Sequence, residues 1–269
     1  MTPAAEVARR LEEARDGLLL VVTGAGISLA SGIPTFRGTD PDAVWSNDVL
    51  ERATRRYFLR DPLGSWTWYA QRFASLEGAR PNAAHRALVD LERWQRQRGE
   101  FLLITQNIDT LHAQAGSEAL VEVHGRADRV RCAQDGCEHG APAGWLPRER
   151  FALEGLRGDD PDPAAVPRCP ACGGWVRPHV LWFDELYDGH QAYGWDRVCD
   201  AVERAAQVLF VGTSFSVGIT DLALRAALRA GLEPLSIDPG PDPRLPLRHV
   251  SAKAEELLPE VVALLGAAG

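Results

Sequence analysis

The chain has 269 residues, 45% hydrophobic and 25% charged, which is enough apolar sequence for one large domain or for a domain carrying a smaller inserted one. A formal net charge of -8 argues against a nucleic-acid partner, which calls for a basic face to neutralise phosphates. No apolar run approaches the roughly 20 residues of a membrane-spanning helix, and MTPAAEVARRLEEARDG lacks the apolar stretch of a secretory signal, so a cytoplasmic protein without membrane contact is expected.

Along the chain, AAEVARRLEEA reads as a helix leading into GLLLVVTG (17–24), a nearly continuous apolar run of the kind buried on both faces of a parallel sheet. That run opens straight into VVTGAGISLASGIPTFRG (21–38), where Gly24 and Gly26 supply the first two glycines of a dinucleotide-binding turn but Leu29 stands where the third is due. Such glycines let backbone N–H groups approach a pyrophosphate at a helix start. Residues 40–80 carry Trp45, Tyr57, Phe58, Trp66, Trp68, Tyr69 and Phe73 and read as a helical insertion. In AAHRALVDLERWQR, Ala84, Leu88, Leu91 and Trp94 recur at helical spacing behind the start signal Pro81-Asn82.

The strand EFLLITQN (100–107) follows, then a Gly-, Pro- and Cys-rich stretch at 130–176 with little periodicity, within which 158–167 is a loop. The helix DRVCDAVERAA, strand QVLFVGTS (207–214), helix DLALRAALRAG and strand LEPLSID (232–238) complete the pattern. Helices alternating with strands that end in Gly, Ser, Thr, Asn or Asp imply an α/β fold with a doubly wound, Rossmann-like parallel sheet and ligand-binding loops at its carboxyl edge. Residues 1–39, 81–129 and 177–269 are expected to form this discontinuous domain, with the insertion 40–80 and a zinc-binding module 130–176 forming a smaller lobe.

Cys132 and Cys137 form a C-x4-C pair, and Cys169 and Cys172 a C-x2-C pair. Two close pairs in a chain expected to be cytoplasmic point to metal before disulfides. Four thiolates on two turns suit tetrahedral zinc with bonds of about 2.3 Å, and an all-cysteine set leaves no position for water, so the zinc is read as structural. Two unrelated thiol pairs or a redox couple are the alternatives, and His139 is a substitute ligand. Cys199, in a helical pattern, reads as a core residue.

In their order along the chain, GAGISLASGIPTFRG, TQNIDTLH, the His-Gly at 124–125, the two cysteine pairs, RPHVLWFDE and GTSFSV resemble the motifs of sirtuins, the NAD-dependent protein-lysine deacylases. The resemblance spans residues 15–260 and implies that NAD is consumed as a co-substrate, in keeping with the missing third glycine. It implies cofactor contacts from Gly24, Ala25, Gly26, Phe36 and Arg37, with Phe36 shielding the nicotinamide ribose. Further contacts are implied from Gln106, Asn107 and Asp109, the last two holding the carboxamide in a twisted pose, and from Gly212, Thr213, Ser214 and Asp238. His124 is the candidate general base, since an imidazole titrating near neutral pH suits proton removal from a ribose hydroxyl. His85, His112 and His179 are assigned to packing and loop bonding.

By the same resemblance the acyl oxygen attacks the nicotinamide ribose, nicotinamide leaves, His124 activates the ribose hydroxyl that captures the acyl group, and water releases lysine and O-acyl-ADP-ribose. Acylated-lysine protein segments are then the expected partners, lying as an added strand between RPHVLWFDE and GTSFSV with Val180, Leu181, Trp182 and Phe183 as one wall. Two positions depart from the family pattern, Asp184 where Gly is common and Asp238 where Asn is common.

Tyr69 and Arg72, three apart on one helix face, match the Tyr-x-x-Arg of sirtuins that prefer succinyl, malonyl or glutaryl lysine. A guanidinium binds a carboxylate through two parallel bonds and the phenol adds a third, so acidic acyl groups are expected as substrates alongside acetyl. The bland alternative pairs Arg72 with Glu77. For the whole chain the competing readings are an NAD glycohydrolase or ADP-ribosyltransferase, a non-catalytic sensor of NAD or ADP-ribose and, with least support, a dehydrogenase.

Overall fold

The four long apolar runs become the four central strands of one parallel sheet, as expected for segments apolar on both faces. The structure, a computed structural model, describes residues 1–35, 47–240 and 242–267. The predicted cofactor-loop residues Phe36 and Arg37, and Trp45, lie outside the described residues.

In chain order the elements are α1 (Pro3–Glu13), β1 (Leu18–Thr23), a 3-10 helix (Ala25–Ser31), α2 (Asn47–Arg52), α3 (Arg55–Arg60), α4 (Pro62–Ala74), α5 (Ala83–Gln95), β2 (Glu100–Thr105), α6 (Leu111–Ala115), β3 (Leu120–Glu122) and β4 (Gly125–Cys132). They continue with β5 (Leu146–Pro147), β6 (Val176–Val180), α7 (Trp195–Arg204), β7 (Ala205–Val211), α8 (Gly218–Arg229), β8 (Leu235–Ile237), β9 (Arg248–Val250) and α9 (Ala254–Ala267). Helix starts follow local chemistry. Thr2 caps α1, accepting from Ala5 N at 3.2 Å, and Asn82 caps α5 while His85 Nδ1 accepts from the Asn82 N–H.

The large sheet runs β3-β2-β1-β7-β8-β9, all parallel. Alternation along β1 decides the layers: Leu19 and Val21 face α1, α5 and α9, whereas Leu18, Leu20 and Val22 face α7 and α8. The three-residue edge strands β3 and β9 and the helix α9 were not anticipated; such short strands leave almost no apolar run to detect. The strand order turns outward in opposite directions from the β1/β7 pair, which opens a crevice at their carboxyl ends.

A second, antiparallel sheet, β5-β4-β6, shares one core with the aromatic helices. Phe58, Trp66, Tyr69 and Phe73 are buried there with Val130, Val176, Cys132 and Cys169, and Trp66 Nε1 donates to Val176 O at 2.7 Å. The aromatic insertion therefore buries its rings against the metal-binding strands rather than against the large sheet.

Candidate active site

A cavity of about 1340 Å³ occupies the crevice, larger than the roughly 300–1,000 Å³ of an ordinary small-molecule site and so roomy enough for two ligands end to end. Every described residue that the sequence assigned to cofactor, catalysis or substrate lines it, with the cysteines set apart.

The glycine turn works differently from the sequence expectation. Gly24 N–H donates to Val211 O at 3.1 Å and Gly26 N–H to Gly212 O at 2.9 Å, so neither donor is left for a pyrophosphate. A Cβ on Gly24 would stand 2.8 Å from Gly212 O, and one on Gly26 2.8 Å from Gly212 Cα. Gly212 itself holds a φ of +59°. These glycines let the turns after β1 and β7 interlock, and the helix that follows is a seven-residue 3-10 turn.

Inside that turn Ser28, fully buried, forms a knot that the sequence reading missed although the residue sits within the quoted motif. Its hydroxyl donates to Asp109 Oδ2 at 2.6 Å and accepts from Asn107 Nδ2 at 3.1 Å. Asn107 Nδ2 also donates to Gly24 O at 3.1 Å, so both amide hydrogens point inward and the carbonyl end is left for a ligand. Asp109 Oδ1 accepts from Leu111 N at 3.0 Å, across Thr110, which holds a left-handed φ of 66°. Burial raises the Asp109 pKa, with the Ser28, Leu111 and Asn107 donors opposing it.

Gln106 acts as a brace: its side-chain NH2 donates to Thr23 O at 3.1 Å and Thr213 Oγ1 at 3.2 Å, tying β2 to the ends of β1 and β7. Its carbonyl accepts the Nδ1 proton of His124 at 2.9 Å. That bond fixes the tautomer and leaves the lone pair on Nε2, which faces the Tyr187 hydroxyl at 3.4 Å. Burial lowers the His124 pKa to about 4, so the imidazole is neutral at pH 7. At the far rim Ser214 Oγ meets Ser216 Oγ at 2.7 Å, and Asp238 Oδ1 closes its own turn on Gly240 N at 2.8 Å.

The opposite arm of the cavity is aromatic. Tyr69 is buried, and its oxygen accepts from Trp182 Nε1 at 2.8 Å, which leaves the phenol proton free to donate. Arg72 stacks its guanidinium 3.3 Å over the Trp68 ring, Nη1 donates to Trp68 O at 3.5 Å, and its buried Nε has no hydrogen-bond partner among the described residues. Glu77 pairs with Arg157 instead, which removes the bland alternative for Arg72. With no acid beside it among the described residues, the guanidinium is pulled by burial to a pKa of about 10.

Val180 to Phe183 line the cavity, and three of their N–H groups are committed: Leu181 to His124 O, Trp182 to Glu185 Oε2 and Phe183 to Ala53 O. The carboxylate of Asp184 accepts from Arg55 N at 2.7 Å and Arg56 N at 3.1 Å, capping α3. Glu185, absent from the sequence reading, pairs with Arg177 and Arg131 beneath Trp182.

The four paired cysteines bring their Sγ atoms within 4.8 Å of one another, with Cys132–Cys172 at 3.5 Å and Cys137–Cys169 at 3.6 Å. A tetrahedron with Zn–S of about 2.3 Å sets its sulfurs roughly 3.8 Å apart, whereas a disulfide needs about 2.05 Å, so the donor set and spacing fit zinc. Cys199, half-buried on α7, is less enclosed than the expected core residue. His85 and His112 are buried with their rings tilted at 56° and 4.7 Å apart, His112 Nε2 lies 3.0 Å from Thr23 Oγ1, and His179 is buried against His190 and Tyr193.

Comparison with known proteins adds to this geometry. The profile of the Sir2 family matches residues 24–218. An NAD-dependent protein deacylase of Thermus thermophilus is 42% identical over 250 residues, covering 92% of this chain and 89% of its own length. One of Aeropyrum pernix is 38% identical over 242 residues, covering 88% and 86%. Among solved structures, a complex of a Sir2 homologue with NAD superposes with a TM-score of 0.77 at 33% identity, covering 98% of this chain and 94% of that one. A complex of Sir2 with a p53 peptide and NAD+ superposes at 0.78 with 26% identity, covering 99% and 100%.

Proposed function

The chain belongs to the Sir2 family, and from that premise we propose that it is an NAD-dependent protein-lysine deacylase that accepts succinyl and malonyl as well as acetyl groups. The observation that carries the acyl preference is the Arg72 guanidinium, half-buried in the cavity wall with its Nε buried, and without an acid partner among the described residues. A buried charge left unpaired is costly, so its retention in a substrate-sized cavity supports an anionic ligand group. The Tyr69 hydroxyl, on the same helix face, supplies a further donor.

When bound, NAD supplies the electrophilic ribose carbon and the ADP-ribose that accepts the acyl group. The turn of Gly24 to Gly26 with Thr213, Ser214 and Asp238 would hold it along the rim, and the inward-locked Asn107 and Asp109 would meet its carboxamide. The cavity's span past both segments is the ground for this fit. His124, neutral and with its Nδ1 proton given to Gln106 O, offers Nε2 as base toward a ribose hydroxyl. Tyr69, Trp182 and Phe73 exclude water around the acyl chain, and a zinc held by the four cysteines fixes the sheet that carries Val180.

Incubating the purified protein with NAD and matched acetyl-, succinyl- and malonyl-lysine peptides tests the reading, with nicotinamide and peptide mass followed together. Acidic acyl groups should be lost at least as fast as acetyl. Nicotinamide release with every peptide intact would replace the deacylase by a glycohydrolase, and acetyl loss alone would remove the carboxylate pocket.

A further inference from the structure

Tyr187 lies outside every motif of the sequence reading, yet its hydroxyl is the side-chain group that faces His124 Nε2, at 3.4 Å. The two rings stack at 5.8 Å and 22°, and on its other side Tyr187 stacks on Trp195 at 4.8 Å and 12°. The polarity of the contact follows from its neighbours. Nδ1 of His124 is the protonated nitrogen because Gln106 O can only accept, so Nε2 carries the lone pair. The phenol proton is then the one aimed at the Nε2 lone pair.

We propose that Tyr187 is a positioning residue for the base: its hydroxyl occupies Nε2 of His124 until a substrate hydroxyl displaces it, and the Trp195–Tyr187–His124 stack fixes the imidazole plane. A contact of 3.4 Å is long for an O–H···N bond, so it orients the ring and still yields to a closer hydroxyl. Removing it leaves a ring held on the Nδ1 side alone, free to swing about the bond to Gln106 O. The inference rests on the reading of His124 as base. It concerns only the half-reaction that needs a base, since departure and return of nicotinamide do not.

The test uses the full chain and two variants. Tyr187→Phe keeps the stack and removes the donor; Tyr187→Leu removes both. In the protein without NAD, the His124 ring nitrogens are followed by 15N NMR and assigned by their loss in His124→Ala. Tyr187→Phe should shift the Nε2 resonance and leave Nδ1 in place. With NAD and acyl-peptide, kcat for deacylation should fall roughly tenfold in Tyr187→Phe and further in Tyr187→Leu, while exchange of labelled nicotinamide into NAD stays within about twofold for Tyr187→Phe. Unchanged His124 resonances in Tyr187→Phe, or deacylation and exchange falling in parallel, would overturn the proposal. Absence of peptide-dependent exchange in the unmutated protein would overturn the deacylase reading instead, and the NMR comparison would still decide whether Tyr187 holds His124.

Discussion

Replacing Arg72 by methionine separates the carboxylate pocket from the rest of the chemistry. The depression of its pKa from 12.5 to about 10 corresponds to roughly 3 kcal/mol of cost for holding the charge in the wall. Because part of the side chain faces the open cavity, a discounted figure of about 2 kcal/mol is the better guide. In the free protein this cost is offset in part by the stack on Trp68 and by a long hydrogen bond, 3.5 Å, from Nη1 to Trp68 O. Methionine fills similar space without charge, so the melting temperature of Arg72→Met should hold or rise slightly. With a succinyl-lysine peptide the loss is larger, since truncating one partner of a bidentate charge pair costs about 2–5 kcal/mol, or roughly 30- to 5,000-fold in kcat/KM. Acetyl-lysine has no group to meet the guanidinium, and its kcat/KM should change less than about threefold. Peptide competition followed by mass spectrometry measures the ratio directly. Equal losses for succinyl and acetyl peptides, or a clear drop in melting temperature, would refute the reasoning by making Arg72 a structural cation.

Cys169→Ser should take zinc content from one per chain to none and broaden near-ultraviolet circular dichroism, because Cys132 and Cys169 share a core with Trp66, Tyr69 and Trp182; retained zinc at full occupancy would contradict the four-thiolate site. His85, with a pKa near 4, and His179, near 2, are held neutral by burial. Their stabilising effect is whole above the ordinary value of 6.5 and is lost as pH falls toward those depressed values; for His85 alone the loss is about 3 kcal/mol by pH 4. Urea titrations between pH 7 and 4 should show stability falling with acid, and a flat profile would mean that neither ring must stay neutral. Asp184→Gly restores the residue common in the family but removes the acceptor for the Arg55 and Arg56 N–H groups at the start of α3, leaving the Thr54 cap, so the melting temperature should drop by roughly 2–4 °C while peptide KM is unchanged. A raised KM would show instead that the carboxylate serves the groove.

The sequence was informative wherever the cause of structure is local. Continuous apolar runs specify strands buried on both faces, and the helical spacing of Ala84, Leu88, Leu91 and Trp94 specifies α5, since period and capping act within a few residues. Cysteine spacing specifies a metal site because each pair already lies on one turn. The described cofactor, catalytic and substrate residues named from the motifs line one cavity, with the cysteines set apart. What the tertiary structure alone decided is which group meets which across long stretches of chain. Gly24 and Gly26 interlock with Gly212, so their backbone donors are taken by another strand's turn. Glu77 is claimed by Arg157, 80 residues away, which leaves Arg72 without an acid among the described residues. Asp184 reaches a helix start 129 residues earlier, and Tyr187 meets His124 from 63 residues further along. Partners at such separations are chosen by the packing of whole layers against one another, and a pairing on which the local residue pattern exerts no force leaves no mark in that pattern.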